Sequence, residues 1–161
     1  MDVFLKKVKK EEKEILKKLL LEYFKEIDTS KIIETSYGEK VNYPYLDSYW
    51  TDASRVALFV FFENEIAGFA LVNAWVIDSE FNAQKSIAEF YIQPKYRRKG
   101  IGKIAAFQIF NEYKTKWEVK QSSNNKRATQ FWRATIKAFS NNNFQEKILQ
   151  EGDETVIVQL F

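Results

Sequence analysis

Residues 87–103 read I-A-E-F-Y-I-Q-P-K-Y-R-R-K-G-I-G-K and carry the strongest chemical signal in the chain. An apolar run meets Pro94, then Arg97, Arg98 and Lys99. Gly100, Ile101, Gly102 and Lys103 then open a second apolar segment. Glycine lacks a Cβ, so the backbone there can turn tightly and approach a ligand closely. A helix starting just beyond presents N–H groups with no intrahelical acceptor and a partial positive charge. Basic side chains beside such a terminus make a cradle for phosphate. The bland alternative is a solvated basic turn that caps a core helix.

What the chain lacks restricts what that cradle can serve. There is no Cys and no His. That excludes a disulfide, a thiolate nucleophile, a zinc finger, an imidazole base and an ordinary transition-metal site. Catalysis is left to carboxylates, tyrosines, lysines or bound water, acting with a cofactor or on a pre-activated substrate. With 161 residues, 45% of them hydrophobic and 29% charged, one globular domain over residues 1–161 with a substantial core is expected. The net charge of +3 is spread over several segments, which argues against a nucleic-acid partner. No apolar run is long enough to span a bilayer, and the charged N-terminal residues do not read as a signal peptide, so a cytoplasmic location without membrane contact is expected.

The elements that must position the turn follow from hydrophobic periodicity. Residues 3–8 suit a short edge strand. Residues 11–27 have apolar positions at 15, 16, 19, 20, 23, 24 and 27, which predicts an amphipathic helix. Residues 31–54 are aromatic-rich and less regular, with a short helix expected near 46–50. The unbroken run 56–62 predicts a strand covered on both faces, 63–65 a hairpin turn, and 66–77 a long returning strand. After a polar loop (78–85) come a strand at 87–92, a helix at 101–113, a strand at 117–121 and an amphipathic helix at 125–139. Two closing strands are expected at 144–149 and 155–161. The fold class is therefore α/β (α+β), a mixed sheet with about four helices on its faces and no internal repeats.

Two phosphate-binding motifs fail on residue detail. A Walker A loop needs Ser or Thr after Gly-Lys, and Ile104 stands there. A Rossmann fingerprint tolerates Ala105 but needs an acidic ribose ligand about 20 residues on, at the end of a second parallel strand, and none is present. Instead, Arg97, Gly100 and Gly102 match Q/R-x-x-G-x-G/A, and Asn125, Ala128, Phe131 and Trp132 match most of N-x-x-A-x-x-F/L-Y. In that order, each after a strand, these segments resemble motifs A and B of the GNAT superfamily of acyl-CoA-dependent N-acyltransferases. The resemblance covers nearly the whole chain.

The resemblance implies a mostly antiparallel sheet that splays at the cofactor site, with acetyl-CoA as co-substrate and no metal. Backbone N–H groups of Arg98, Lys99, Gly100, Ile101, Gly102 and Lys103 would hold the pyrophosphate. The pantetheine would lie in the gap beside Phe90, Tyr91 and Ile92 and pair with main chain like an added strand. Asn125, Ala128 and Trp132 would complete the cofactor site. Acetyl transfer would be direct attack by an amine acceptor, a small molecule or a protein amine. Glu89 would act as base through a water, its pKa raised by apolar neighbours, or else make a structural hydrogen bond or ion pair on the sheet. The family commonly has Tyr where Trp132 stands, and an indole N–H cannot give up a proton at useful pH. Tyr91, Tyr96 or water would then protonate the leaving thiolate, and Trp132 itself reads equally as a core residue.

Tyr43, Tyr45, Asp47, Tyr49 and Trp50 form a cluster able to line the acceptor site, with Asp47 or Asp52 attracting a cationic amine. The aromatics suit a plain cover for the sheet as well. Two other readings stay open: a catalytically silent acyl-CoA-binding sensor or partner domain, and a nucleotide- or phosphate-binding module. An exposed edge near 155–161 offers a surface for a homodimer.

Overall fold

The computed structural model describes all 161 residues. Strand β1 (Val3–Lys7) precedes helix α1 (Lys13–Ile27), which starts after a 3-10 turn at Lys10–Glu12. A small hairpin follows, β2 (Ile32–Thr35) and β3 (Gly38–Val41), then a 3-10 helix at Leu46–Trp50. Next come β4 (Val56–Phe62), β5 (Glu65–Asn73), β6 (Lys85–Ile92) and α2 (Ile101–Glu112). The chain closes with β7 (Trp117–Ser122), α3 (Lys126–Phe139), β8 (Gln145–Glu151) and β9 (Glu154–Leu160). No helix is long and apolar enough to cross a membrane.

Seven strands form one sheet in the order β1-β4-β5-β6-β7-β9-β8. Every neighbouring pair is antiparallel except β6–β7. The hydrophobic run of β4 is buried on both faces, as its unbroken pattern requires. Phe59 lies in a row with Phe69 and Tyr91, and this row meets Leu16, Leu20 and Phe24 of α1. Leu58 lies in the alternate row with Ala70 and Phe90, and that face meets Ile109 and Phe110 of α2 and Trp132 and Ile136 of α3. Glu63 and Asn64 both adopt positive φ (49° and 67°), the conformation of a tight hairpin turn between β4 and β5.

Four details depart from the sequence pattern. Within α1 the buried stripe is narrower than the apolar spacing, and Ile15 and Ile27 remain exposed. Residues 32–41 fold into the β2–β3 hairpin, whose mostly exposed residues leave no alternation to read. Strand β5 stops at Asn73 and does not continue to Ile77. The Asn73 side chain accepts from the Trp75 N–H at 3.1 Å, and the fully buried carboxylate of Glu118 accepts from the N–H groups of Ile77 and Asp78 at 2.9 and 2.8 Å. These bonds fold the chain across β7 and β9, where Ile77 and Phe81 cover Val156, Val158 and Leu160. Finally, residues 155–161 are no edge: β9 is paired on both sides, and β8 is the outer strand. Burial explains the choice, since β9 supplies three core residues while the β8 side chains alternate to solvent.

One glycine fixes how closely β5 and β6 approach. A Cβ at Gly68 would lie 1.9 Å from the Tyr91 carbonyl oxygen. Gly68→Ala is expected to destabilise the fold by about 3 kcal/mol, measured by chemical denaturation. A loss below about 0.5 kcal/mol, the scale of a neutral surface change, would contradict that close approach.

Candidate active site

The parallel pair β6–β7 is short. Only residues 85–87 pair with 117–119; beyond them β6 stays on β5 and β7 stays on β9. The inner edges of the two strands therefore diverge with their main-chain groups unpaired to each other. A bulge marks the departure: Leu71 faces Glu89 and Val72 faces Ile87, leaving Ala88 as the extra residue. Such bulges bend a strand and re-aim the side chains beyond them. One wall of the gap is aromatic, with Phe90 against Phe131 (ring centroids 5.8 Å) and Trp132 (5.0 Å).

At the end of β6 the chain passes through a 3-10 turn (Pro94–Tyr96) into the basic glycine turn. Arg98 and Gly100 adopt positive φ (62° and 80°), and α2 starts at Ile101. As a result, six successive backbone N–H groups, residues 98–103, have no acceptor within the protein. Arg98, Lys99 and Lys103 are exposed around them. Arg97 is different. Its Nε donates to the Ile92 carbonyl at 2.6 Å and its Nη2 to Glu26 at 2.8 Å, so this cation ties the end of β6 to α1.

The second motif forms the start of α3. Asn125 is the N-cap, its Oδ1 accepting from the Ala128 N–H at 3.1 Å. One turn on, Phe131 approaches the first turn of α2, where a Cβ on Gly102 would sit 3.2 Å from its ring. Gly102 thus brings α2 and α3 close together. Trp132 is buried edge-on to Phe90 and Phe131 and tilted against Phe110, a core position beside the aromatic wall.

Glu89 lies on the α1 face, in a row with Leu71 and Ala57. Burial is the main reason its carboxyl is pushed up to about 7. The phenols of Tyr23 and Tyr43 and the Lys31 ammonium offset part of that rise. Burial, then the charge of Glu89, raises both phenols in turn. Tyr23 packs on Phe69 (5.7 Å) and Tyr91 (5.6 Å), so α1 supplies one side of the Glu89 environment. In the sequence Tyr23 was only one more apolar position of a helix, and nothing local separated it from its neighbours.

Residues 15–135 match the family model described as the Acetyltransferase (GNAT) family. The chain belongs to the GNAT acetyltransferase family, which uses acetyl-CoA. Solved structures agree on the fold. An acetyltransferase from Thermus thermophilus superposes with TM-score 0.68 at 15% identity, covering 100% of this chain and 97% of that one. The PaiA N-acetyltransferase of Thermoplasma acidophilum, in complex with coenzyme A, gives 0.60 at 16% identity with both chains fully covered. Arabidopsis thaliana NAA60, with a bisubstrate analogue, gives 0.68 at 10% identity over 99% and 97%. No curated protein matches the sequence.

For this GNAT member the remaining candidates divide sharply. The Tyr91 hydroxyl donates to Glu22 at 3.4 Å, and burial followed by the charge of Glu22 pushes it up to about 12. Tyr96 donates to Glu65 and packs among Val60, Ala67 and Ile101. Both phenols suggested as acids are therefore engaged with carboxylates. Of the acceptor cluster, Tyr43 reaches Glu89, but Tyr45 is exposed with the Arg55 guanidinium 5.3 Å from its ring. Asp47 pairs with Lys13, Asp52 pairs with Arg55, and the Trp50 indole donates to the Val8 carbonyl at 2.9 Å. The Lys13 and Val8 contacts hold the 46–55 segment to the body of the protein. Arg97→Met should cost about 1.5–3 kcal/mol of stability, the range for a hydrogen-bonded charge. The salt dependence of acetyl-CoA binding should stay as in wild type, because Arg97 is engaged with Ile92 and Glu26; a flatter salt dependence would show that it also meets the cofactor.

Proposed function

We propose that this GNAT member transfers an acetyl group from acetyl-CoA directly to an amine, small-molecule or protein-borne, in a ternary complex. The carrying observation is the run of six unpaired N–H groups at residues 98–103, set beside a gap whose two strand edges are also unpaired. That arrangement fits a long ligand with a doubly charged phosphate end and an amide-bearing arm. The amides and Arg98, Lys99 and Lys103 hold the pyrophosphate; the main chain of Phe90, Tyr91 and Ile92 pairs with the arm; Asn125, Ala128 and Trp132 close the far side.

Acetyl-CoA supplies an activated thioester, so the protein need only position and deprotonate an acceptor. With no Cys and no His, a covalent acetyl-cysteine cannot form and direct attack is favoured. Glu89 accepts the ammonium proton through a water, and a carboxyl near 7 is matched to that task at neutral pH. The amine nitrogen then forms the new bond to carbon as the carbon–sulfur bond breaks, and the nitrogen's second proton passes to solvent. Since Tyr91 and Tyr96 are engaged elsewhere, solvent returns a proton to the departing sulfur.

That same engagement, with Trp132 at the usual Tyr position, favours one second reading: an acyl-CoA-binding domain without turnover. Calorimetry with acetyl-CoA and a thiol-release assay across an amine panel separate the two. Binding with amine-dependent release of free CoA is the expected result. Binding without release under any amine selects the silent domain, and no binding rejects both.

A further inference from the structure

Two neighbouring concavities, about 510 and 620 Å³, share Lys7 and Tyr113 as lining residues. They lie at the end of α2 opposite Gly100. Twelve helical residues at 1.5 Å each put about 18 Å between this groove and the phosphate cradle.

The larger concavity has unspent binding capacity. Lys7 and Lys85 line it, and neither has a carboxylate partner within 4 Å. Lys85 sits 4.8 Å from the Tyr113 ring centroid, which fixes its ammonium at the groove wall. Arg55 adds a third cation, shared with Asp52 at 3.3 Å. Tyr49 forms part of the wall and is 6% exposed; its hydroxyl has no hydrogen-bond partner within 3.5 Å, and its polar neighbours are Tyr43 and the groove residue Arg55. A buried orphan hydroxyl is costly unless a ligand or water completes it. Trp50 and Tyr113 supply flat apolar surface.

We propose that this groove binds an organic carboxylate with an apolar or planar body, the carboxylate meeting Lys85, Lys7 and the Tyr49 hydroxyl. The carboxylate belongs either to a separate small ligand or to the acceptor itself. The second source is within reach, because Ala57 of the groove is two strands from Glu89 in the same row, about 10 Å. Only that second source rests on the acetyltransferase reading.

Benzoate is the probe, with calorimetry on the full chain. Wild type should bind it, and added salt should weaken it. Lys85→Gln and Tyr49→Phe should each weaken it, Lys85→Gln by at least about tenfold, as expected for a charged hydrogen bond. Tyr49→Phe removes a single hydroxyl and keeps the packed ring, so its fold should be retained, and a thermal melt checks both variants. No benzoate binding, equal binding of benzylamine, or unchanged affinity in Lys85→Gln overturns the proposal, while intact acetyl-CoA binding in the same samples leaves the function standing. A thiol-release comparison of 4-(aminomethyl)benzoate with benzylamine then assigns the source. A preference for the carboxylate lost in Lys85→Gln places it on the acceptor; equal rates alongside benzoate binding make it a separate ligand.

Discussion

Glu89→Gln should lower kcat by about 10²–10⁴-fold, the span of a lost general base, while leaving acetyl-CoA affinity unchanged. Glutamine keeps the shape and cannot accept the proton. The wild-type pH profile should rise as Glu89 ionises near pH 7, and the variant should lose that limb. Retention of full turnover would remove Glu89 from the mechanism. Stability should show the opposite face of the same shift. The carboxyl titrates near 4.5 when exposed and near 7 in the folded protein, so the native state holds its proton more tightly. Raising the pH through that window therefore costs stability, with no penalty below about 4.5 and the full penalty above 7. Glu89→Gln should thus melt higher than wild type at pH 8, with the gap closing at pH 5. Tyr43→Phe and Tyr23→Phe should move the kinetic pKa upward, since each phenol now pulls it down.

The second large effect is expected at Gly100. Its φ of 80° is left-handed, and a Cβ there would meet nothing within 4 Å. Gly100→Ala should therefore cost about 1–2 kcal/mol of backbone strain without a clash. Asparagine and aspartate tolerate this region better and differ from each other mainly in charge. Gly100→Asn should keep most acetyl-CoA affinity. Gly100→Asp sets a carboxylate among amides that would face phosphate, and should weaken binding at least about 100-fold, some 2.7 kcal/mol. Calorimetry on the pair isolates the charge. Equal binding by Gly100→Asp and wild type would move the pyrophosphate away from this turn.

Both tests concern residues that local sequence made visible. The turn is legible because only a few residue types satisfy its backbone: glycine at the left-handed position and glycine again where Phe131 presses on α2. Asn125 is legible for a similar reason, since a short polar side chain before an apolar helix is its natural cap. Strand β4 needed only its unbroken apolar run. By contrast, the β2–β3 hairpin shows mostly exposed faces, so hydrophobicity carried no register for it.

Sequence by itself determined the basic glycine turn, the cap of α3, the strand carrying Glu89 and the absence of any Cys or His, because these depend on residue type and near neighbours. Only the tertiary structure decided which charges and phenols are free. Arg97 is basic by type yet spent on Glu26, 71 residues away. Tyr91 and Tyr96 are taken by Glu22 and Glu65, and Tyr23 is brought to Glu89 by the docking of α1. Availability for chemistry is a property of long-range partners and burial, and neither is written in the spacing of residues along the chain.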